Sequence, residues 1–340
     1  TTPFTSLATT ERENAMTTEP EIRAAAAWSA IAEPGDKWAG ALRAQLGTVE
    51  ALEMARQPYT PLPEAIHAPA GETGEDVAPA WKANRKRWNE RLNVLDIDSD
   101  LRDLERLGGR LITPSDEDWP TQLNDLGYAC PPALWVLGEG ALPGTDQPAV
   151  SMVGSRAATR YGVTVAETLG HDLTAAGVQV ISGGAYGIDA ASHRGALQAE
   201  AADSTTNPLP GTIAVICGGL NNLYPTGNHG LFERILAERG LIVAEVPPAF
   251  RPARWRFLER TRIIAALSNA TVVVEAGIRS GALETSYRAE KLERRIGAVP
   301  GPITMTVSAG PHQLIRGGAT LVESAADIAA LLGLPSQPEG

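Results

Sequence analysis

From residue 149 onward the chain alternates between short β-rich runs and helical stretches, and this alternation constrains the fold more than any other feature. The runs are Ala149 to Gly154, then VQVIS (178–182), TIAVIC (212–217), LIVAE (241–245) and TVVVEA (271–276), separated by helical stretches of roughly ten to sixteen residues. Strands joined through helices rejoin a sheet in parallel, and right-handed crossovers place the helices on both of its faces. The expectation is an α/β domain with a mainly parallel sheet. Two shorter strand-like runs, LIT and ALWVLG, precede it after Arg110.

The amino-terminal part has another texture. Residues 21–56 carry apolar positions at helical spacing, broken at Glu33-Pro34-Gly35-Asp36 and at Gly47-Thr48, which reads as two or three short helices. A loop rich in Pro, Gly and acids (58–79) precedes a further helix in WKANRKRWNERLNVLD. Arg85, Lys86, Arg87 and Arg91 there read as a solvated helix face, with a DNA-contacting patch as the alternative. The division expected is a flexible tail (1–20), a small helical domain (21–108), the α/β domain (109–330) and a flexible end (331–340), with AEAADSTTNPLPG as an extended surface loop.

A net charge of −11 excludes a protein that coats nucleic acid over its whole surface, so any such contact needs a local basic patch. The five histidines are scattered and neither Cys130 nor Cys217 has metal-ligand spacing, so no metal and no other cofactor is expected. Two cysteines, no membrane span and no signal-peptide pattern together fit a cytoplasmic protein.

In an open parallel sheet, ligands bind beyond the carboxyl ends of the strands. Four glycine-bearing loops stand there. Gly154-Ser155-Arg156 offers a close backbone approach, a hydroxyl and a guanidinium suited to phosphate. Ser182-Gly183-Gly184, continuing to Gly187, permits a nest of backbone amides. Gly218-Gly219 follows the third of the five runs, and Arg279-Ser280-Gly281 opens a helix after the fifth. Any one could be only a turn; four on one edge favour an anion site. None spells the dinucleotide fingerprint or a P-loop.

The segment from Arg251 to Arg262 adds five arginines (Arg251, Arg254, Arg256, Arg260 and Arg262), Trp255 and Phe257 against the single acid Glu259. Guanidiniums hold a backbone while rings stack on unpaired bases, a combination suited to single-stranded nucleic acid. The alternative is that Trp255 and Phe257 fill the core beneath solvated arginines. No acid–base pair or activated nucleophile is evident: Asp189 suits orientation of the following helix, and Glu275 the fixing of a loop.

In order along the chain, Val153-Gly154-Ser155-Arg156, the block from Ser182 to Leu197, Tyr224-Pro225 with Asn228, Glu245, Arg262-Ile263-Ile264-Ala265, Val274-Glu275-Ala276, Ser280-Gly281-Ala282-Leu283 and Leu314-Ile315-Arg316-Gly317-Gly318 resemble the DprA/Smf family of bacterial DNA-processing proteins. The helices before them are more weakly similar to that family's small SAM-like domain. The resemblance implies an extended Rossmann-like core and a homodimer without enzymatic activity that binds and protects single-stranded DNA during natural transformation or recombination, and helps load the recombinase RecA. It implies phosphate contacts at Gly154, Ser155, Arg156, Ser182, Gly183, Gly184, Ser280 and Gly281, and DNA contacts at Arg254, Phe257 and Arg262. The chain departs from the family pattern in carrying Tyr186 where an arginine is common, and Thr261 where an asparagine is usual. A small-nucleotide sensor or a phosphoribohydrolase-like enzyme on a related fold is the competing expectation, although RSGALET lacks the enzyme-type glycine–threonine arrangement.

Overall fold

The computed structural model describes residues 18–57, 61–63, 67–69, 76–199 and 211–335. Most of the loop expected before Gly211, the first seventeen residues and the last five lie outside the described residues.

Among the described residues five helices come first: α1 (Glu19–Ile31), α2 (Lys37–Leu46), α3 (Thr48–Arg56), α4 (Val77–Leu92) and α5 (Ile97–Arg106). The Asp36 carboxylate caps α2 by accepting from the amides of Trp38 and Ala39, and Gly47, at φ 81°, permits the break between α2 and α3. Helix α4 begins two residues before Pro79, inside the stretch read as loop, because proline is tolerated in a first turn. Trp28, Trp38, Trp81 and Trp88 form its core with alanines and leucines, Trp28 meeting Trp88 edge-on at 5.3 Å between ring centroids.

The arginines of α4 are mostly neither solvated nor free for DNA. Arg85 is buried over the Trp81 ring and donates to the Met54 carbonyl, Arg87 pairs with Asp36, and Arg91 with Glu33; of the four basic residues named, Lys86 alone is exposed. Each ties α4 to an earlier helix or turn.

Nine strands follow among the described residues: β1 (Arg110–Ile112), β2 (Leu134–Leu137), β3 (Ala149–Val153), β4 (Gln179–Ser182), β5 (Thr212–Val215), β6 (Leu241–Ala244), β7 (Ala270–Val273), β8 (Arg295–Ala298) and β9 (Thr320–Leu321). They form one sheet in the order β1-β2-β6-β5-β4-β3-β7-β8-β9, parallel from β6 to β9, with β1 and β2 added antiparallel at one edge. The crossovers are α6 (Arg160–Ala175), α7 (Ile188–Gln198), α8 (His229–Ala237), α9 (Arg254–Ala266), α10 (Gly281–Lys291) and α11 (Ala309–Arg316), with α12 (Ala325–Leu332) last.

Side chains alternate across each strand, so Val150 and Met152 pack with Leu169 and Leu173 of α6, while Ala149 and Val153 pack with Ile263 and Ile264 of α9 on the other face. Strands covered on both faces are buried throughout, as β3 to β7 are. The helical segment docks on the antiparallel end: Ala26 and Leu104 join Trp135, Leu137 and Phe232 in one cluster, and the Trp135 indole donates to Ser29 Oγ at 3.0 Å.

Candidate nucleic-acid interface

From β3 the chain runs outward through β4, β5 and β6, then returns to place β7 on the opposite side of β3. The carboxyl ends of β3 and β7 therefore flank the switch point of the sheet, where loops diverge and leave a crevice. A cleft of about 490 Å³ lies there, lined by Gly154, Ser155, Arg156 and Ala157 after β3, and by Gly277, Arg279, Ser280, Gly281 and Ala282 after β7. Helix α9 supplies another wall through Phe257, Leu258, Arg260, Thr261 and Ile264, which share one face at intervals of three and four residues.

Hydrogen bonds hold the two loops together. The Ser155 amide donates to the Glu275 carbonyl at 2.6 Å, and the buried Glu275 carboxylate accepts from the amide (2.9 Å) and hydroxyl (2.6 Å) of Thr159. Gly162 closes over that carboxylate, and a Cβ there would stand 2.4 Å from its carboxyl carbon. Glu275 thus fixes the loop. At the opposite lip, Ser280 Oγ caps α10 by accepting from Ala282, and the first turn of α10, with the positive end of the helix dipole, borders the cleft.

The floor is ionic. Arg260 is buried and donates to the carbonyls of Gly183 and, at 3.1 Å, Val215; the Asp189 carboxylate is 3.9 Å from it. Asp189 also accepts from the Ala185 amide. Burial pushes the Asp189 carboxyl above its ordinary range, against the pull of Arg260, and burial likewise lowers the Arg260 guanidinium. Above them the half-buried Phe257 ring lies between two cations, Arg156 at 4.8 Å and Arg260 at 5.4 Å from its centroid. Among the described residues, three guanidiniums (Arg156, Arg260 and Arg279) face one carboxylate in this cleft, within a chain of net charge −11.

The structure gathers Gly154, Ser155, Arg156, Phe257, Ser280 and Gly281 into this one space. Arg254 is exposed at the start of α9, outside the lining. Four other sequence-based assignments fall outside this lining. Ser182 is fully buried and its hydroxyl donates to the Met152 carbonyl at 2.6 Å, so it is engaged inside the sheet. Gly183 and Gly184 lie behind Ala185, their carbonyls accepting from Arg260 and Asn228; these glycines make room for Arg260 and Phe232, which a Cβ would meet at 2.4 and 2.6 Å.

Arg262 is 4% exposed and grips Glu245 with two nitrogens while donating to the Ala129 carbonyl at 3.0 Å. Five residues beyond Phe257, it is turned roughly 140° around α9, away from the cleft. Arg260 and Arg279, which the sequence reading named in its loop and its arginine-rich segment without assigning them a contact, also line the cleft. Their signal was present in the i, i+3 spacing from Phe257 to Arg260, and in the place of Arg279 directly before Ser280-Gly281.

Among the described residues no cluster of His, Cys, Asp or Glu could hold a metal, and no helix is long and apolar enough to cross a membrane.

A family model described as DNA recombination-mediator protein A matches residues 110–333. The putative DNA processing protein DprA of Mycobacterium tuberculosis (strain H37Rv) is 41% identical over 329 residues, covering 93% of this chain and 76% of that protein. Protein Smf of Escherichia coli (strain K12) is 37% identical over 249 residues, or 72% of this chain and 63% of its own length. The X-ray structure of DNA processing protein A from Streptococcus pneumoniae superposes with a TM-score of 0.66 at 29% identity, covering 93% of this chain and 98% of the other. DNA processing protein A from Helicobacter pylori, described for its unique single-stranded DNA binding mode, superposes with a TM-score of 0.54 at 27% identity, covering 66% of this chain and 95% of the other. These likenesses bear out the resemblance read from the loops and the Rossmann-like α/β fold expected from the alternation.

Proposed function

This chain belongs to the DNA recombination-mediator protein A family, and we propose that it binds single-stranded DNA through the cleft at the switch point, as a mediator of recombination. The observation that carries the reading is the convergence of Arg156, Phe257 and the first turn of α10 on one crevice of an otherwise acidic protein. Backbone phosphates sit at the first turn of α10 and at Arg156, and Phe257, with Arg156 and Arg260 near its ring, offers an aromatic contact to a base.

Binding without catalysis fits the same residues. Asp189 is the only carboxylate lining the cleft among the described residues, and its hydrogen bond to Ala185 and its place beside Arg260 give it a structural part. The reading extends to a cytoplasmic homodimer that passes DNA to the recombinase RecA.

The test is fluorescence anisotropy of a labelled oligothymidine and of the matching duplex at several salt concentrations. The expected result is preference for the single strand, with Arg156→Ala weakening binding about tenfold and lowering the salt slope by about 0.7, the value for one phosphate contact on a single strand. Tight uptake of a mononucleotide with no strand binding would overturn it in favour of a nucleotide sensor or phosphoribohydrolase-like enzyme.

A further inference from the structure

Beside the cleft, on its β4 and β5 side, stand two tyrosines that neither the core nor the phosphate loops use. Tyr186 follows the cleft-lining Ala185 and is 47% exposed. Its hydroxyl accepts a hydrogen bond from the Gly227 amide at 3.2 Å, and its ring edge lies so near that turn that a Cβ on Gly227 would meet Cε1 at 3.0 Å. Tyr224, 43% exposed, meets Phe257 edge-on, with centroids 5.6 Å apart and planes at 75°. The loops that carry the two tyrosines are clamped to each other, since the Asn228 side chain donates to the Gly184 carbonyl at 2.9 Å.

Each ring is held at its edge or its hydroxyl and remains about half exposed. Partial exposure of one tyrosine is ordinary; what sets these two apart is that they stand together on clamped loops beside the cleft. Rings fixed in place but open to solvent, next to a cationic cleft, suit flat apolar ligands that arrive attached to anions. Tyrosine has only two side-chain torsions, and both rings are already anchored, so a ligand orders little on binding them.

We propose that Tyr186 and Tyr224 form a base-stacking subsite beside Phe257, taking unpaired bases of any sequence as a strand leaves the phosphate cleft. This rests on the cleft binding single-stranded DNA. Duplex DNA is excluded because its bases are stacked on one another and present no free face. The subsite adds affinity without adding charge, so it separates from the phosphate contacts by its salt dependence.

The experiment compares a short oligothymidine with an abasic strand of the same length, which keeps the phosphates and lacks the bases. Anisotropy titrations at two salt concentrations use the native chain, Tyr186→Leu, Tyr186→Phe, Tyr224→Leu and Arg156→Ala. Tyr186→Leu and Tyr224→Leu are each expected to weaken oligothymidine binding about 5- to 100-fold, with the abasic strand changed less than twofold and the salt slope intact. Tyr186→Phe, which keeps the ring and loses the hydroxyl, retains native affinity. Arg156→Ala weakens both strands and lowers the slope.

Equal losses on both strands in the leucine variants, or no loss on either, would overturn the stacking subsite while leaving the phosphate cleft standing. Failure of the native chain to bind either strand would instead remove the reading on which the subsite depends.

Discussion

Lowering the pH from 7.5 to 5.5 should cost this fold about 1.4 kcal/mol through His193 alone. The imidazole is fully buried in α7, and its Nδ1 lies 2.6 Å from Thr212 Oγ1. The Thr212 hydroxyl proton goes to the Val180 carbonyl at 2.9 Å, so the threonine oxygen accepts and Nδ1 carries the imidazole hydrogen. Nε2 is buried with no partner. Protonation would place a second N–H and a positive charge in that apolar space, and burial, aided by Arg260 and Arg194, pushes the pKa down to about 3. A base whose folded pKa is depressed contributes stability that is whole above its unfolded value, near 6.5, and is lost as pH falls below it toward about 3. One unit below 6.5 the loss is about 1.4 kcal/mol, and near pH 3 it reaches about 4 kcal/mol. Urea denaturation at both pH values, for the native chain and His193→Asn, checks this. Asparagine places an amide donor where Nδ1 stood and cannot be protonated. The variant is expected to be less stable at pH 7.5 because it leaves a void, but to lose about 1.4 kcal/mol less than the native chain on acidification. An identical drop in both proteins would refute the argument.

Three further substitutions probe the site and its supports. Arg262→Leu leaves Glu245 uncompensated and should lower unfolding free energy by about 3–5 kcal/mol in urea, while folded protein keeps native affinity for oligothymidine; lost affinity with unchanged stability would return Arg262 to the DNA contacts. Gly183→Ala drives a methyl to within 2.4 Å of the Arg260 guanidinium, and a destabilisation of about 1–3 kcal/mol is expected by thermal melting, with a neutral result showing that the floor can yield. Glu275→Ala removes the acceptor for the Thr159 amide and hydroxyl, so it should cost about 1–3 kcal/mol and weaken strand binding from a buried position; unchanged binding would mean that the β3 loop holds its shape without it.

The parallel sheet was legible because strands buried on both faces write continuous apolar runs, and five of them recur between helical stretches. Strands β8 and β9 were not, since RIGA and TL are short, and their places are set by pairing with β7 and β8 rather than by apolar patterning. Helix α5 carried a legible signal that was passed over: Ile97, Leu101 and Leu104 stand at helical spacing and pack on the antiparallel end of the sheet, amid a run rich in charged residues. At the site, the loops after β3 and β7 declared themselves through glycine and arginine at strand ends. In the loop after β4 the same letters also serve packing, because a Cβ on Gly183 or Gly184 would meet Arg260 or Phe232. Sequence shows that a Cβ is absent; only the fold shows what occupies its volume.

The arginine-rich segment makes the same point in terms of phase. Arg260 and Arg262 differ by two positions, which on a helix is a rotation of about 200°. One therefore faces the cleft, joining the ends of β4 and β5 beneath Phe257, and the other faces Glu245 and Ala129 on the far side of α9. Arg256 and Trp255 extend that far side to Glu33, in the turn between α1 and α2. A segment that reads as one basic patch is thus two structures on one helix: a ligand-facing row running from Phe257 through Arg260 to Ile264, and an anchoring row that fastens α9 to the helical segment. The anchoring row fixes the rotation of α9 about its axis, and that rotation decides whether Phe257 reaches the cleft. Mutations on the hidden side should therefore act on stability first, and on DNA binding only when they let the helix turn.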